Sequence, residues 1–355
     1  MNPKFVDLFS GVGLGSLGLV RAGFEIAAAV DIDPRACAVY RENLGVEPIV
    51  GDLRRISGSD ILKRAGLRRG ELSLCVGCPP CQGFSTLRKT RLRKGQRDDR
   101  KSLLRVFAQR IDELLPGVVI FENVRGVTLG SNRRFLNEFL AHMRRLSYHV
   151  DFGVLNAADY GAPQHRLRFI LIGSRGGAPR LPEKTHSSPL AGTAKPRWKT
   201  VRDAIGDLPP LESGQRDENI SLHEAAAHSE SVLRIIRSIP PNGGGRRSLP
   251  RKLWLPCHRR LAKKKQRGAE SIYGRMRWDE PSPTITTRSH IPSCGRFVHP
   301  VQNRGITLRE AARLQNIPDE YKIRAPSKDI AGMWIGNAMP LALAEVLGRE
   351  TVRLV

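Results

Sequence analysis

Phe5-Val6-Asp7-Leu8-Phe9-Ser10-Gly11-Val12-Gly13-Leu14-Gly15-Ser16-Leu17-Gly18 decides how the rest of this 355-residue chain is read. A short apolar run, a glycine-rich turn and an apolar pattern reaching Ala22-Gly23 predict strand, loop and helix in that order. Such a unit opens a doubly wound nucleotide-binding sheet. Glycines let the backbone approach a ligand closely, and a helix N-terminus offers unpaired N–H donors. A glycine loop alone is equally a tight turn, so the residues beyond it must decide.

The next segments repeat the pattern. Ile26 to Val30 forms a second apolar run closing on Asp31, and Pro34 to Asn43 reads as a helix with proline in its first turn. An acid there, about 20 residues past the glycines, is placed to grip a ribose hydroxyl pair, or else to cap the next helix. Ile49-Val50-Gly51-Asp52 gives a third short strand ending in a carboxylate. Asp7, Asp31 and Asp52, read as strand-end acids, together predict an adenosine-type ligand. No Gly-Lys-Ser/Thr signature follows the loop, which argues against a nucleoside triphosphate.

Leu72 to Val76 reads as a buried strand running into Gly77-Cys78-Pro79-Pro80-Cys81-Gln82-Gly83-Phe84-Ser85. Two prolines stiffen the approach to Cys81 and Gly83 relaxes the chain just after it, so this thiol is well placed to meet a substrate. A buried apolar cysteine, a redox pair or half a zinc site with Cys78 are the rivals, but no second CxxC or CxxH completes a metal set. The basic run Arg88 to Arg97 lacks periodicity and predicts a loop, either a solvated surface or a flap that grips phosphate beside Cys81.

A helix from Lys101 to Leu115 leads to Val118-Val119-Ile120-Phe121, a strand ending in Glu122-Asn123-Val124. A carboxylate at the C-terminal end of a buried parallel strand faces the crevice, where it can hold or donate a proton; a helix cap or a salt bridge is its plain alternative. After a helix near Arg133 to Leu146 and a strand from Tyr148 to Leu155, Arg166 and Arg168 precede the strand Phe169 to Gly173. Read as one strand face, they suit bidentate contact to a carboxylate or phosphate, or sit together on an exposed edge.

Ser174 to Trp198 is rich in Gly, Pro and Ser and reads as a linker. Beyond it, periodicity is poor and basic charge dense, at Arg246-Arg247, Arg251-Lys252 and Arg259 to Arg267, which fits a loop-rich domain that reads a groove. Tyr273 to Trp278 and Pro283 to Thr287 suggest strand-and-turn structure. Thr307-Leu308-Arg309-Glu310 is a capping box opening a helix from Ala311 to Gln315. Ile335 to Pro340 leads into an apolar helix that needs the first domain's sheet to cover. Cys257, His258, His290 and Cys294 follow no metal-ligand spacing, so no metal is expected.

Lys+Arg number 59 against 34 Asp+Glu, a formal charge of +25, which predicts a polyanionic partner. No basic amphipathic helix supports a membrane surface instead. Six cysteines do not make a disulfide framework at this length. No leader pattern and no apolar stretch of membrane-spanning length is evident, so a soluble intracellular protein is expected.

With these motifs in this order, the chain resembles bacterial DNA (cytosine-5)-methyltransferases over nearly its whole length. The resemblance is carried by Asp7-Leu8-Phe9-Ser10-Gly11-Val12-Gly13, Pro79-Pro80-Cys81-Gln82-Gly83-Phe84-Ser85, Glu122-Asn123-Val124, Gln164-His165-Arg166-Leu167-Arg168, Arg309-Glu310-Ala311-Ala312-Arg313-Leu314-Gln315 and Gly336-Asn337-Ala338. It implies an α/β fold: a doubly wound, Rossmann-like methyltransferase sheet from residues 1–180 and 325–355, with a smaller, loop-rich target-recognition domain over 181–324. It implies S-adenosylmethionine as methyl donor, in a site lined by Phe9, Ser10, Gly11, Gly13, Asp31, Ile32, Asp52, Pro80 and Asn337. Cys81 would attack C6 of a flipped-out cytosine, Glu122 would bond the ring N3 and amine, and Arg168, supported by Arg166, would orient both.

The implied partner is double-stranded DNA in the bacterial cytoplasm, met by a monomer, with a restriction endonuclease as a separate protein or none. The tRNA-methylating branch and a catalytically silent DNA-binding relative are the alternatives. Two positions depart from the family's pattern. Leu14 stands for a second glycine, and Cys78 stands where glycine is usual, adding a thiol expected to be open to oxidation.

Overall fold

A computed structural model describes residues 2–80, 102–254, 256, 259 and 271–355. Cys81, the basic run 88–97 and the Cys257-His258 pair lie outside the described residues. The chain divides into two compact units, one of Met1–Tyr160, Leu167–Thr185 and Met339–Val355, the other of Gly161–Arg166 and His186–Ala338.

The first unit holds a seven-stranded sheet: β1 (Lys4–Leu8), β2 (Glu25–Asp31), β3 (Ile49–Val50), β4 (Leu74–Gly77), β5 (Val118–Val124), β6 (His149–Asn156) and β7 (Leu167–Ser174). Their order is β3-β2-β1-β4-β5-β7-β6. β1 to β5 pair in parallel, while β7 runs antiparallel to both β5 and β6. The chain winds outward from β1 to β3 and then returns to place β4 on the other side of β1. That reversal opens a crevice beyond the carboxyl ends of β1 and β4, where ligands bind in such sheets.

Helices α1 (Leu14–Arg21), α2 (Pro34–Leu44), α3 (Gly58–Ala65), α4 (Ser102–Leu114) and α5 (Arg133–Arg145) follow the strands. Local chemistry starts them: Asp33 accepts from the Arg35 amide ahead of α2, and Ser57 with Asp60 forms a capping box for α3. One face of the sheet packs on α3, α4 and α5 through Val6, Leu8, Ile61, Ile111, Val119, Leu136 and Met143. Phe107, Phe121, Phe139 and Phe169 interlock there, with ring centroids 5.1 to 5.9 Å apart. The other face, through Phe5, Leu74, Val76, Val118, Ile120, Ile170 and Ile172, meets Leu19 of α1 and Leu343 and Leu347 of the C-terminal helix (Leu341–Thr351).

Three expectations need correction. β7 begins at Leu167, so Arg166 lies outside the strand and shares no face with Arg168. Tyr273–Trp278 and Pro283–Thr287 form no strands; Arg275 and Ser282 make only isolated bridges, to Val298 and Gln164. The stretch Lys328–Leu354 does reach the length and mean hydropathy (1.4) of a membrane span. Pro340 divides it into two helices, and 61% of its apolar window is buried within the protein, as in a core element of a globular fold.

The second unit carries α6 (Val201–Ile205), α7 (Glu230–Arg237), α8 (Leu308–Leu314) and α9 (Lys328–Asn337) among long loops. A small core of Ile235, Ile236, Ile239, Leu249, Tyr273 and Val298 supports it. Loops leave carbonyls without ladder partners, and here buried arginines supply the donors. Arg275 donates to the carbonyls of Ile236, Ile239, His299 and Gln302 and to Asn303 Oδ1. Arg304 forms a two-pronged ion pair with Glu310, at 2.7 and 2.8 Å, and also donates to Leu211 and Gly305. Glu310 closes the predicted capping box with Thr307. Part of the basic excess is therefore spent inside the fold, and groove contact does not account for all of it.

Candidate active site

Alternate residues on a strand share a face, and on the face carrying Phe5, Val76 and Ile120 each row ends in a polar group at the crevice. Phe5 leads to Asp7, Leu74-Val76 to Cys78 and Val118-Ile120 to Glu122. On antiparallel β7, Ile172-Ile170 leads to Arg168, whose Cα partner on β5 is Val124. The result is an ion pair: Arg168 Nε lies 2.7 Å from Glu122 Oε1, with each side chain 12% exposed. Arg168 also donates to the Leu167 carbonyl, which fixes the guanidinium plane. Cys78 follows Gly77, the Cα partner of Phe121, so it stands beside Glu122 from the β4 side.

Burial and the neighbouring Glu122 and Asp7 charges push the Cys78 thiol far above its ordinary ionisation range. The expected oxidation-prone second thiol is thus a protonated, poorly nucleophilic one. Iodoacetamide at pH 7.5 should leave Cys78 unmodified in the folded protein, and labelling should grow only under strongly alkaline or denaturing conditions. Peptide mass mapping over a pH series checks this; fast labelling of Cys78 at neutral pH contradicts it.

Asn123, on the opposite face and almost fully buried, was not singled out by its residue type. Its side-chain amide donates to the Pro79 carbonyl at 3.1 Å, and its Oδ1 accepts from the Val124 amide at 2.9 Å. The end of β5 therefore holds the chain just where it leaves β4 toward Pro80 and Cys81. Asn123→Ala leaves a buried carbonyl unpaired, an expected cost of about 1–3 kcal/mol in stability. Denaturant melts measure this, and a variant as stable as wild type contradicts it.

Around the glycine loop, Phe9 takes a left-handed φ of 67°. The turn brings the amides of Phe9 and Ser10 together on the Val30 carbonyl, each at 3.0 Å. Asp31 accepts from the Gly11 amide at 2.7 Å through Oδ2 and from the Asp33 amide at 2.9 Å through Oδ1. Burial raises its pKa against those two backbone donors, and a carboxylate keeps lone pairs for further donors. Beside it Ile32 is 65% exposed, an apolar platform at a strand end. Gly11 and Gly13 take φ of 54° and 91°, the left-handed region that favours glycine. The Ser10 hydroxyl is buried and has no hydrogen-bond partner among the described residues, which leaves it open to a further donor or acceptor.

Not every predicted residue joins this cluster. Asp7 stands one residue before the end of β1 but is taken up by the fold: it is 4% exposed, and its carboxyl accepts from Ser16, which in turn accepts from Tyr40. Burial carries its pKa to about 7, with the Ser16 bond opposing and the Asp31 charge adding. Asp52 is clasped by Arg54, whose hydrogen bond holds the carboxyl below its usual range. Pro80 is exposed at the crevice end of β4.

Arg166 belongs to the second unit, where it is fully buried and donates to the carbonyls of Ile285, Gly336 and Ala338. Its carbonyl bonds make it part of that unit's scaffold. Gln164 donates to the Leu314 carbonyl and to Gln315 Oε1, and Gln315 donates to the Ile335 carbonyl. Asn337 is exposed at the end of α9, in the same unit. Three of the quoted motifs thus lock one another together.

Comparison with known proteins agrees over the whole chain. The profile described as C-5 cytosine-specific DNA methylase matches residues 3–353. The chain is 34% identical to the Type II methylase M.HgiDII of Herpetosiphon aurantiacus, over 99% of this chain and 96% of that one. It is 33% identical to the Type II methyltransferase M.XorII of Xanthomonas oryzae pv. oryzae, over 99% and 85%. Among solved structures, the fold superposes on an E. coli prophage protein, titled a putative DNA modification methyltransferase, with a TM-score of 0.72 at 23% identity, covering 99% of both chains. It also superposes on the S. pombe Dnmt2 methyltransferase with a TM-score of 0.62 at 16% identity, over 97% and 96%. At those identities the structural likeness shows the fold.

Proposed function

The chain belongs to the C-5 cytosine-specific DNA methylase family, and on that premise we propose that it methylates a cytosine within a specific duplex sequence through a covalent adduct, using S-adenosylmethionine. The observation that carries the reading is the nearly buried Glu122–Arg168 pair, set beside the strand end from which Pro79-Pro80-Cys81 emerges.

Cytosine C5 is a poor nucleophile until the ring is activated. In the proposed course the Cys81 thiolate adds to C6, pushing electron density onto C5, while Glu122 shares a proton with N3 and accepts from the exocyclic amine. Arg168 holds the Glu122 carboxylate in place for that contact. When bound, S-adenosylmethionine supplies a sulfonium-activated methyl group to C5. A base, for which water suffices, then takes the C5 proton. Cys81 leaves with its electron pair, restoring the ring's aromaticity, and the N3 proton returns to Glu122. An ordinary thiol has a pKa of about 8.5, so donors around Cys81 must favour its thiolate.

The residues present suit that cofactor. Ser10 offers an unspent hydroxyl, Asp31 has lone pairs for ribose hydroxyls, and Ile32 offers an apolar face to a purine. C6 is shielded by stacking inside a duplex, so the base must swing out at a cost of a few kcal/mol, which phosphate contacts from the basic chain would offset. The proposal has the enzyme acting as a monomer in the cytoplasm at the nucleoid, as the modification half of a restriction–modification system whose endonuclease is a separate protein.

Methyl incorporation from labelled S-adenosylmethionine into duplex DNA and into tRNA tests the reading, with bisulfite sequencing of DNA from expressing cells to locate the base. Label in DNA at C5 of one sequence context is expected. Label confined to tRNA, or none in either, overturns it.

A further inference from the structure

We propose that Arg246 of the second unit is a DNA-contacting residue: its guanidinium, stacked on Trp254, donates to one phosphodiester of the bound duplex. The proposal deepens the reading above and rests on duplex DNA being the partner. Among the buried arginines of this unit Arg246 stands apart. Arg166, Arg275 and Arg304 spend donors on carbonyls and carboxylate oxygens. Arg246 is 4% exposed, yet its Nε and Nη1 have no hydrogen-bond partner among the described residues. Its guanidinium carbon lies over the indole of Trp254, 5.2 Å from the ring centroid.

The backbone around Arg246 is tied down on both sides. Arg296 Nη1 donates to the carbonyls of Gly243, Gly244 and Arg275 at 2.8 to 3.1 Å, which fixes the turn into the one-turn 3-10 helix Arg246–Ser248. After that turn Leu249 anchors in the small core, and its carbonyl accepts from Trp254 Nε1 at 3.0 Å, so the indole is held as well. Guanidinium and ring therefore meet an incoming group with little ordering left to do. A desolvated cation without an acceptor is costly, and the π-face of an indole offsets only part of that cost. A full negative charge offsets it best, and phosphate oxygens match the guanidinium fork. The local chain supplies no such charge: no Asp or Glu occurs between Glu230 and Glu270, while Arg247, Arg251, Lys252 and Arg259 stand exposed. Those cations draw a polyanion to this surface, and the small open part of Arg246 suits contact with a single phosphate.

The test is the affinity of full-length Arg246→Met for two short duplexes, one of A·T pairs only and one of mixed sequence, by fluorescence anisotropy over a salt series. Methionine keeps an apolar contact with Trp254 and removes the charge. Affinity at low salt should fall roughly five- to tenfold on both duplexes, and the slope of log K against log salt should become shallower by about 0.9, the share of one phosphate. The urea midpoint should stay at or above that of wild type, because the variant loses a desolvated charge. Arg144→Met, which removes an exposed charge from α5 in the first unit, should leave the slope unchanged. Four results each overturn the proposal: an unchanged slope in Arg246→Met, a loss confined to the duplex containing guanine, a urea midpoint below that of wild type, or an equal change of slope in Arg144→Met. The titration needs no turnover, so wild-type binding to duplex without methyl transfer would sink the proposed reaction and leave this contact standing.

Discussion

Cys81→Ser is expected to reduce methyl transfer to duplex DNA by more than about 10³-fold while leaving DNA affinity within a fewfold of wild type. A serine hydroxyl is far less acidic and less nucleophilic than a thiol, so the C6 adduct does not form and C5 is never activated. The glycine loop, the Glu122–Arg168 pair and the buried arginines are held by contacts of their own, so binding and stability should persist. Two measurements separate chemistry from binding: single-turnover methyl transfer, and fluorescence anisotropy on the same duplex. A duplex with fluorine at cytosine C5 sharpens the test, since that carbon has no proton to lose and the adduct should accumulate as a denaturation-resistant band. Wild type should give the band and the serine variant none. Substantial turnover by Cys81→Ser would remove the nucleophile assignment.

Glu310→Ala should cost about 3–5 kcal/mol of stability, the largest loss expected from a residue remote from the reaction. Arg304, with no exposed side-chain surface, would keep its charge and lose both carboxylate oxygens, and the Thr307 amide would lose its acceptor. Replacing both members with apolar residues, as in Arg304→Met with Glu310→Leu, should recover much of the loss, because the pair offsets its own desolvation only when complete. Urea denaturation of the single and double variants measures this, and a single variant within about 1 kcal/mol of wild type, the scale of a surface pair, would refute it.

The same cluster sets an acid limit. Burial would raise the Glu310 pKa, but hydrogen bonds and charge from Arg304 hold it below the ordinary value, so its contribution is present above the unfolded carboxyl pKa and lost as pH falls through the lower folded one. His299 stands at about 4, depressed from 6.5 mainly by burial, and its Nδ1 accepts from the amides of Val301 and Gln302, which suits the neutral ring. The unfolded chain binds this proton first, so stability should decline as pH falls from about 6.5 toward 4. His299→Gln should flatten that part of the profile.

Much of this was legible in the chain because local chemistry wrote it. Proline at the start of α2, the Thr307–Glu310 box and the apolar runs of β1, β2, β4 and β5 are decided by neighbours in sequence, and the structure bears them out. Glu122 was legible for the same reason, as the acid that ends an apolar strand. Asp7 misled because residue type does not say whether a strand-end carboxylate meets solvent or a serine from the following helix. Arg166 misled because β7 begins only at Leu167, so this residue lies outside the strand whose face it was expected to share with Arg168. That Cys78 stands beside Glu122 needed the adjacency of β4 and β5, which is a fact of sheet order rather than of either segment. The helix at Gly58–Ala65 went unread although Ser57 and Asp60 announce it.

The second unit is fastened at a few interior points, where arginines reach far along the chain to clasp distant carbonyls, in place of a continuous ladder. Spans between such anchor points can change length or wording without unravelling their neighbours. A fold framed this way tolerates exchange of the spans between its anchors while the guanidinium fixings stay where they are.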